Sequence, residues 1–174
     1  ETVLVSRPGV STRYLQKRLW ERLQANGVTW EVEQVEPEHC WIPMGGPIPD
    51  RQQRLLGFGG AARMVHPATG YQMARLFQWS TQMAQQLQLG LDMEMEPQDI
   101  ARQTWRSLWS RERLSIRQLY CYGLEVLLRL SPRECTEFFE IFFSLKPSHW
   151  YGYLRGTLSR QLMMVAMMEI FWKA

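Results

Sequence analysis

The feature that most constrains the fold is a succession of helical patterns that fills the chain after Gly70. Gly90 is typical of a helix end, and Pro97 of a helix start, because proline is tolerated at the first helical position. Serine is a favourable helix cap, and Ser110 and Ser131 each precede a helical pattern. The predicted helices cover residues 71–89, 97–109, 110–130, 131–145 and 159 onward, with a short aromatic turn after Pro147. The sequence therefore predicts an almost entirely helical second half.

Strands are predicted only in the first part of the chain. Residues 2–6 are rich in β-branched side chains, and residues 28–35 alternate apolar and polar side chains with period two. Between them lies a predicted helix, 12–25, capped by Ser11, and residues 54–60 read as a short buried strand. This strand–helix–strand opening, followed by a helical half, predicts an α/β fold with α+β character in the amino-terminal part.

Composition excludes several classes of protein. The net charge of +3 is too small to indicate nucleic-acid binding by itself. The three cysteines, Cys40, Cys121 and Cys135, form no CxxC pair, so neither a disulfide framework nor a metal site is expected. There is no run of about 18 apolar residues, so no membrane-spanning helix is expected. The chain does not start with Met and its last helical pattern is cut off, so we expect a fragment of a longer protein.

Residues 57–71, GFGGAARMVHPATGY, place glycines and alanines just before a helical pattern. Gly57, Gly59 and Ala62 match the dinucleotide-binding pattern G-x-G-x-x-G/A. Pro67, however, stands where the crossover helix of that motif should run, and no acidic residue ends a second strand at the required distance. The dinucleotide fingerprint is therefore disfavoured.

Two other interpretations of this segment stay open. Small residues let a ligand approach the backbone, and Thr69 can cap a helix that begins with Gly70 and Tyr71. The N–H groups and positive end of such a helix favour an anionic group. Alternatively, the glycines only form a turn that packs a helix against a strand.

Four segments together resemble the lycopene cyclase family. GFGGAARMVHPATGY is similar to the family's carboxy-terminal flavin motif, and HCWIPMGGPIP (39–49) is similar to its IPMGGPLP segment. ETVLVSRPG (1–9) resembles the family's EETSLVARPG, and FFEIFFSLKPSHWYGYL (138–154) resembles FFxxFFxLxxxxWxGFL. The resemblance is specific because the segments occur in the family's order and are spread over nearly all of the chain.

The resemblance implies a flavoprotein related in fold to the FAD monooxygenases. Such an enzyme converts the ψ-ends of lycopene, or of another hydrophobic carotenoid, to β-rings. This isomerisation requires reduced FAD, with NAD(P)H as reductant. Products with ε-rings remain an alternative, because the two outcomes differ only in which carbon loses a proton. The resemblance also implies a peripheral membrane protein on the cytoplasmic or thylakoid side in a cyanobacterium, or in a plastid.

The same resemblance predicts how the chain is organised. The family's nucleotide fingerprint lies far upstream, so the chain is expected to be the carboxy-terminal portion of the enzyme. Residues 1–44 are expected to belong to a substrate-binding sheet subdomain. Residues 45–90 return to the FAD-binding domain, and residues 91–174 form a carboxy-terminal helical region.

Site residues follow from the matched motifs. Glu1 corresponds to the second Glu of the family's FLEET motif and is the candidate proton donor or its support. Flavin contacts are expected from Gly59, Gly60, Ala61, His66, Pro67, Thr69, Gly70 and Tyr71. His66 has three interpretations: a donor to flavin, a base, or a side chain that satisfies a loop carbonyl. Tyr71 either lines the pocket or covers the helix start.

The aromatic residues of segment 138–153 fall on helical spacing. One interpretation is that they belong to the core. The other is that they line a hydrophobic tunnel, or form a surface that dips into the membrane, through which a polyene leaves the bilayer. Two further classes of protein stay open. One is an FAD monooxygenase or another FAD-dependent oxidoreductase on the same fold. The other is a non-catalytic lipid-binding or partner-binding helical protein without a flavin site.

Overall fold

The computed structural model describes residues 4–28 and 38–173. Every regular element within these ranges is helical, so the predicted α/β fold is wrong for the described part of the chain. The helices are α1 (Thr12–Ala25), α2 (Met73–Asp92), α3 (Pro97–Leu108), α4 (Arg111–Leu127), α5 (Pro132–Phe143), α6 (Pro147–Arg155) and α7 (Arg160–Lys173), and a 3-10 turn spans Gly59–Ala62. The chain divides into two compact units, Glu1–Ile42 and Pro43–Ala174.

The two amino-terminal strand predictions fall partly outside the described residues. Of residues 2–6, the described residues 4–6 have no strand conformation, and of residues 28–35 only Val28 is described, which is also irregular. A strand is stable only when its backbone pairs with a neighbouring strand. The described ranges contain no such pairing, and the predicted strand 28–35 lies outside them except for Val28.

The predicted strand 54–60 is an irregular approach to the 3-10 turn. Gly59 has a φ of +63°, a left-handed backbone that does not continue a strand. The N–H of Arg63 donates to the Gly60 carbonyl, and the N–H of Met64 donates to the Gly59 carbonyl, each at 3.0 Å. These local bonds replace the ladder of a sheet, because the small residues allow a tight turn.

In the first unit, α1 confirms the predicted helix. The Ser11 hydroxyl accepts a hydrogen bond from the Tyr14 N–H at 3.2 Å, which satisfies one free donor of the first turn. Asn26 caps the other end, and Gly27 follows with a φ of +66°. The chain therefore leaves the helix where the Asn-Gly pair predicts.

In the second unit, α2 runs through Gly90 instead of ending there. A Cβ built at Gly90 would lie 2.7 Å from Cγ1 of Ile100 in α3. The glycine therefore serves the close approach of two helices, and the prediction of a helix end at Gly90 is wrong. The helix ends at Asp92, and Met93 is its C-cap.

The later helix starts agree with the capping signals. Pro97 is the first residue of α3, and the Ser110 hydroxyl accepts from the Arg113 N–H at the start of α4. Ser131 forms a capping box with Glu134 at the start of α5. Pro147, predicted to begin a short turn, instead begins the nine-residue helix α6.

Two buried clusters hold the second unit together. The first joins the end of the 3-10 turn to α2 and α3, and consists of Ala62, Met64, Trp79, Trp105, Leu108 and Trp109. The second joins α4 to α7 and the turn before it, and consists of Tyr120, Leu158, Met163 and Ala166. The segment predicted to bind flavin thus belongs in part to the core.

Candidate functional site

The 3-10 turn presents backbone to solvent on one side. Gly60 and Ala61 are exposed, and a Cβ built at Gly60 would meet no atom within 4 Å. The residues that follow point inward: Ala62 and Met64 are fully buried. A ligand can therefore reach the Gly60–Ala61 backbone without displacing the core.

A buried hydrogen bond fixes the end of this turn. The indole Nε1 of Trp109 donates to the Ala62 carbonyl at 3.0 Å. The Trp109 ring is 2% exposed and lies edge-on to Trp79 with ring centroids 5.2 Å apart. The position of the turn is therefore set by the α2–α3 pair.

The turn 66–71 is closed by bonds within itself. The His66 carbonyl accepts from the N–H groups of Thr69 at 3.3 Å and Gly70 at 2.9 Å, and the His66 N–H donates to the Tyr71 carbonyl at 2.9 Å. The Tyr71 N–H donates to the Thr69 hydroxyl at 3.3 Å. Gly70 has a φ of +75°, so the turn requires a residue that tolerates the left-handed region.

Helix α2 begins two residues later than predicted, and Thr69 does not cap it. The N-cap is Gln72, whose side chain makes no capping hydrogen bond. The hydroxyl of Thr69 is instead used by the Tyr71 N–H within the turn. The free donors expected at Gly70 and Tyr71 are consumed locally, and the uncapped first turn of α2 starts at Met73.

His66 is the most deeply buried polar residue of the segment and is neutral. Its side chain is 1% exposed, and burial, followed by the charge of Arg75, lowers its pKa to about 3. Nδ1 accepts from the Ala68 N–H at 3.3 Å, which places the ring proton on Nε2. Nε2 is buried and has no hydrogen-bond partner. The ring packs against Tyr120 and Tyr153, at centroid distances of 4.0 and 5.5 Å.

The structure brings the predicted flavin-contact residues into one continuous segment. Gly59 is half-buried and Gly60 and Ala61 are exposed in the 3-10 turn, while His66 and Pro67 are buried in the chain's next turn. Thr69 and Gly70 are half-buried, and Tyr71 is 63% exposed. Glu1 lies outside the described residues.

Sequence reasoning missed the partners that hold this segment from far along the chain. Tyr120 and Tyr153 pack on His66, and Trp109 bonds to Ala62 across 47 positions. In the sequence, Trp109 and Tyr120 appear only as apolar positions of predicted helices, and Tyr153 appears only as a member of the aromatic segment 138–153. A motif in neighbouring residues could not reveal them.

The segment has features that fit a bound flavin in part. The Gly60 backbone is exposed, and no side chain caps the start of α2. The positive end of this helix favours a ligand group that carries negative charge, such as a reduced flavin ring. Gln72 Oε1 is buried without a hydrogen-bond partner, and a bound ligand would supply the bond that it lacks. The N–H groups of the 66–71 turn, in contrast, are already bonded. The parts of the segment that fit a bound flavin are therefore the 3-10 turn and the start of α2.

The comparisons with known proteins decide the family. A sequence model described as "Lycopene cyclase protein" matches residues 1–174. The chain belongs to the lycopene cyclase family. It is 39% identical to the "Lycopene beta cyclase" of Synechococcus elongatus, an alignment that covers 100% of this chain and 43% of that relative. No solved structure matches the chain.

Plant relatives in this family are similar at nearly the same level. The chain is 37% identical to the chloroplastic "Lycopene beta cyclase" of Solanum lycopersicum, over 98% of this chain and 34% of the relative. It is 37% identical to the chromoplastic "Capsanthin/capsorubin synthase" of Citrus sinensis, over 91% of this chain and 32% of the relative. The chain thus spans less than half the length of these relatives.

The aromatic segment 138–153 is divided between core and surface. Phe142 is 3% exposed, whereas Phe139, Phe143 and Tyr151 are exposed. Helix α7 adds further exposed apolar side chains: Leu162, Met164, Val165, Met168, Phe171 and Trp172. Within residues 4–28 and 38–173, the helices are too short or too polar to cross a bilayer.

Proposed function

We propose that the protein cyclises the ψ-ends of lycopene to β-rings in carotenoid biosynthesis. The family match over residues 1–174 carries this proposal. Relatives named lycopene beta cyclase, from a cyanobacterium and from chloroplasts, support β-rings over ε-rings.

The reaction is a balanced isomerisation. A proton adds to a terminal alkene carbon, the resulting cation closes the ring, and a neighbouring carbon loses a proton. The proton donor must be an acid that apolar surroundings keep protonated until use. Glu1 remains our candidate for the donor or for its support.

The proposed cofactor is reduced FAD, with NAD(P)H as its reductant. When bound, reduced FAD supplies negative charge beside the substrate cation. The backbone at Gly59, Gly60 and Ala61 would contact it. His66, Pro67 and Thr69 would shape the turn that presents Gly70 and Tyr71 to the same ligand.

His66 supports this site without transferring a proton. Its pKa of about 3 keeps the ring neutral at physiological pH, and its Nδ1 is already bonded to the Ala68 N–H. A neutral ring adds no positive charge near a substrate cation. Of the three interpretations from the sequence, the structural one is the closest to these contacts, although the ring accepts from a loop N–H group and does not satisfy a loop carbonyl.

The exposed apolar side chains of α5–α7 favour contact with a membrane surface, from which a C40 polyene must be extracted. Phe171 and Trp172 are 75% and 80% exposed, the most exposed of this set. Replacing both by serine is expected to reduce sedimentation of the full-length protein with lipid vesicles. Unchanged sedimentation would argue against this surface.

The decisive experiment is to express the full-length protein in bacteria that accumulate lycopene and to separate the pigments. We expect carotenoids with β-rings, and only lycopene in cells carrying the empty vector. Unchanged lycopene in cells with folded, flavin-loaded protein contradicts the cyclase proposal. Products with only ε-rings contradict the choice of β-rings.

A further inference from the structure

A cavity in the second unit is lined by an unusual concentration of positive charge. It lies between α2, α4 and the end of α6 and has a volume of about 110 Å³. Its charged lining residues are Arg75, Arg113, Arg117 and Arg155. Arginine stays protonated in proteins, so four guanidinium groups face one small space.

The polar partners found for three of these arginines are neutral or weakly polar. Arg75 Nη1 donates to the Met64 carbonyl at 3.1 Å. Arg117 Nη2 donates to the carbonyls of Gly45 and Gly46 at 2.9 and 2.8 Å. Buried Nε of Arg117 has no hydrogen-bond partner. Carbonyl oxygens position a guanidinium but do not neutralise it.

Arg113 is held in a similar way. Its Nη1 donates to the Leu108 carbonyl at 3.0 Å, and its Nη2 donates to the Gln82 side chain at 2.8 Å. Its Cζ lies 4.5 Å from the centroid of the Trp79 ring, and Arg75 Cζ lies 5.4 Å from the same centroid. The indole and the carbonyls fix the guanidinium groups before any ligand binds.

Among the salt bridges found in the described part of the chain, none includes a cavity arginine. The salt bridges found within residues 4–28 and 38–173 involve other arginines, a lysine and a histidine. Burial lowers the pKa of Arg113, and the charge of Glu112 opposes this change. Burial lowers the pKa of Arg75, and although Tyr120 opposes this change, Arg113 and Arg117 lower it further. Repulsion of this kind is relieved when an anion enters the space.

We infer that the cavity between α2, α4 and α6 binds a phosphate-type oxyanion through Arg75, Arg113, Arg117 and Arg155. Guanidinium forks match the oxygens of a phosphoryl group, and several donors converge here. A volume of about 110 Å³ is far smaller than a pocket for a drug-sized ligand. It therefore suits one phosphoryl group, not a whole dinucleotide.

Arg155 is the exposed arginine of the cavity lining. Its Cζ lies 5.2 Å from the centroid of the Tyr151 ring. Gly156 has a φ of +69°, and a Cβ there would lie 2.7 Å from Arg75 Nη2. The glycine thus leaves room for the Arg75 guanidinium, and the exposed Arg155 is the residue to change without disturbing the core.

The test is calorimetric titration of inorganic phosphate into the full-length protein, with sodium chloride at matched ionic strength as the reference. We expect a dissociation constant in the millimolar range or tighter. Arg155→Gln should weaken phosphate binding about tenfold, because one charge-assisted contact is lost. Arg160→Gln is the matched control: this arginine is exposed on α7, and its loss changes the net charge equally.

A second arm separates free phosphate from a lipid phosphoryl headgroup, which share this chemistry. Vesicles of neutral phosphatidylcholine are compared with vesicles that also contain phosphatidic acid. Preferential sedimentation with phosphatidic acid, competed by phosphate and lost in Arg155→Gln, supports the headgroup; phosphate binding without that preference supports the free ion. No phosphate binding by the parent protein, or equal weakening by Arg155→Gln and Arg160→Gln, overturns the inference. Neither arm requires flavin or lycopene, so the inference stands or falls separately from the cyclase proposal.

Discussion

The imidazole of His66 lies with its centroid 4.0 Å from that of the Tyr120 ring, deep beneath the segment predicted to contact flavin. This contact joins the 66–71 turn to α4, which is more than 40 residues away in the chain. Since His66 is 1% exposed, water cannot solvate a charged ring there. The folded protein therefore holds His66 neutral.

Stability should depend on the protonation of His66. Its pKa is about 3 in the folded protein and 6.5 in the unfolded chain, so the unfolded chain binds more protons between these values. This stabilising contribution is complete above pH 6.5 and is lost as the pH falls toward 3. At about pH 5 the free energy of unfolding should be about 2 kcal/mol lower than at neutral pH on this account. Denaturant unfolding at both pH values measures the difference.

The control for this prediction is another histidine. His39 is exposed, so His39→Gln should retain the parent's pH dependence. His66→Gln should be less stable at neutral pH but should lose most of the slope between pH 5 and 7. Identical slopes in all three proteins would show that another group is responsible.

Trp109 should control the 3-10 turn. Trp109→Phe removes the donor to the buried Ala62 carbonyl, which should cost about 1–3 kcal/mol of stability and loosen the turn. We expect a lower flavin content in the purified full-length variant. Trp105→Phe is the matched control, because its indole donates to the carbonyl of the exposed Leu55. Equal flavin content in the two variants would contradict this role for Trp109.

Gly90 should be intolerant of a side chain where α2 meets α3. Gly90→Ala places a methyl group 2.7 Å from Ile100 Cγ1, and overpacking of this kind costs about 1–3 kcal/mol. Ile100→Ala, which removes the contacting Cγ1, should cost about 2–5 kcal/mol alone. If the contact is the cause, the double variant should be more stable than the sum of the two changes predicts. Strict additivity in thermal or denaturant unfolding would refute this explanation.

The starts of the helices could be predicted where a residue next to the helix caps its first turn. Ser11, Ser110 and Ser131 bind N–H groups of their own first turns, so a short window of sequence contains the whole interaction. Gly90 shows the limit of such reasoning. Its role depends on Ile100 in the next helix, and the sequence alone cannot distinguish a helix end from a close helix contact.

The residues of the candidate site stay a prediction from the family motifs, and their conformation could not be predicted from the sequence. Family motifs selected the residues from Gly59 to Tyr71, and the structure gathers them into one segment. The sequence did not indicate that Thr69 bonds within the turn instead of capping α2. It also did not reveal Tyr120, because long-range packing depends on the assembled fold and not on neighbouring residues.

Gly70→Val provides the test of the flavin site. The φ of +75° at Gly70 disfavours a branched side chain, at a cost of about 1–2 kcal/mol, which a domain of ordinary stability tolerates. The added side chain should also block the ligand next to the turn. The matched control is Gly27→Val, at a φ of +66° in the first unit, with open space around its Cβ.

The most direct measurement of the central claim is the flavin content of the purified full-length Gly70→Val protein, taken together with its thermal melt and its conversion of lycopene. We expect a folded protein with little bound flavin and no cyclisation, while Gly27→Val retains both. A folded Gly70→Val protein with full flavin and full activity would contradict the assignment of residues 59–71 to the flavin site.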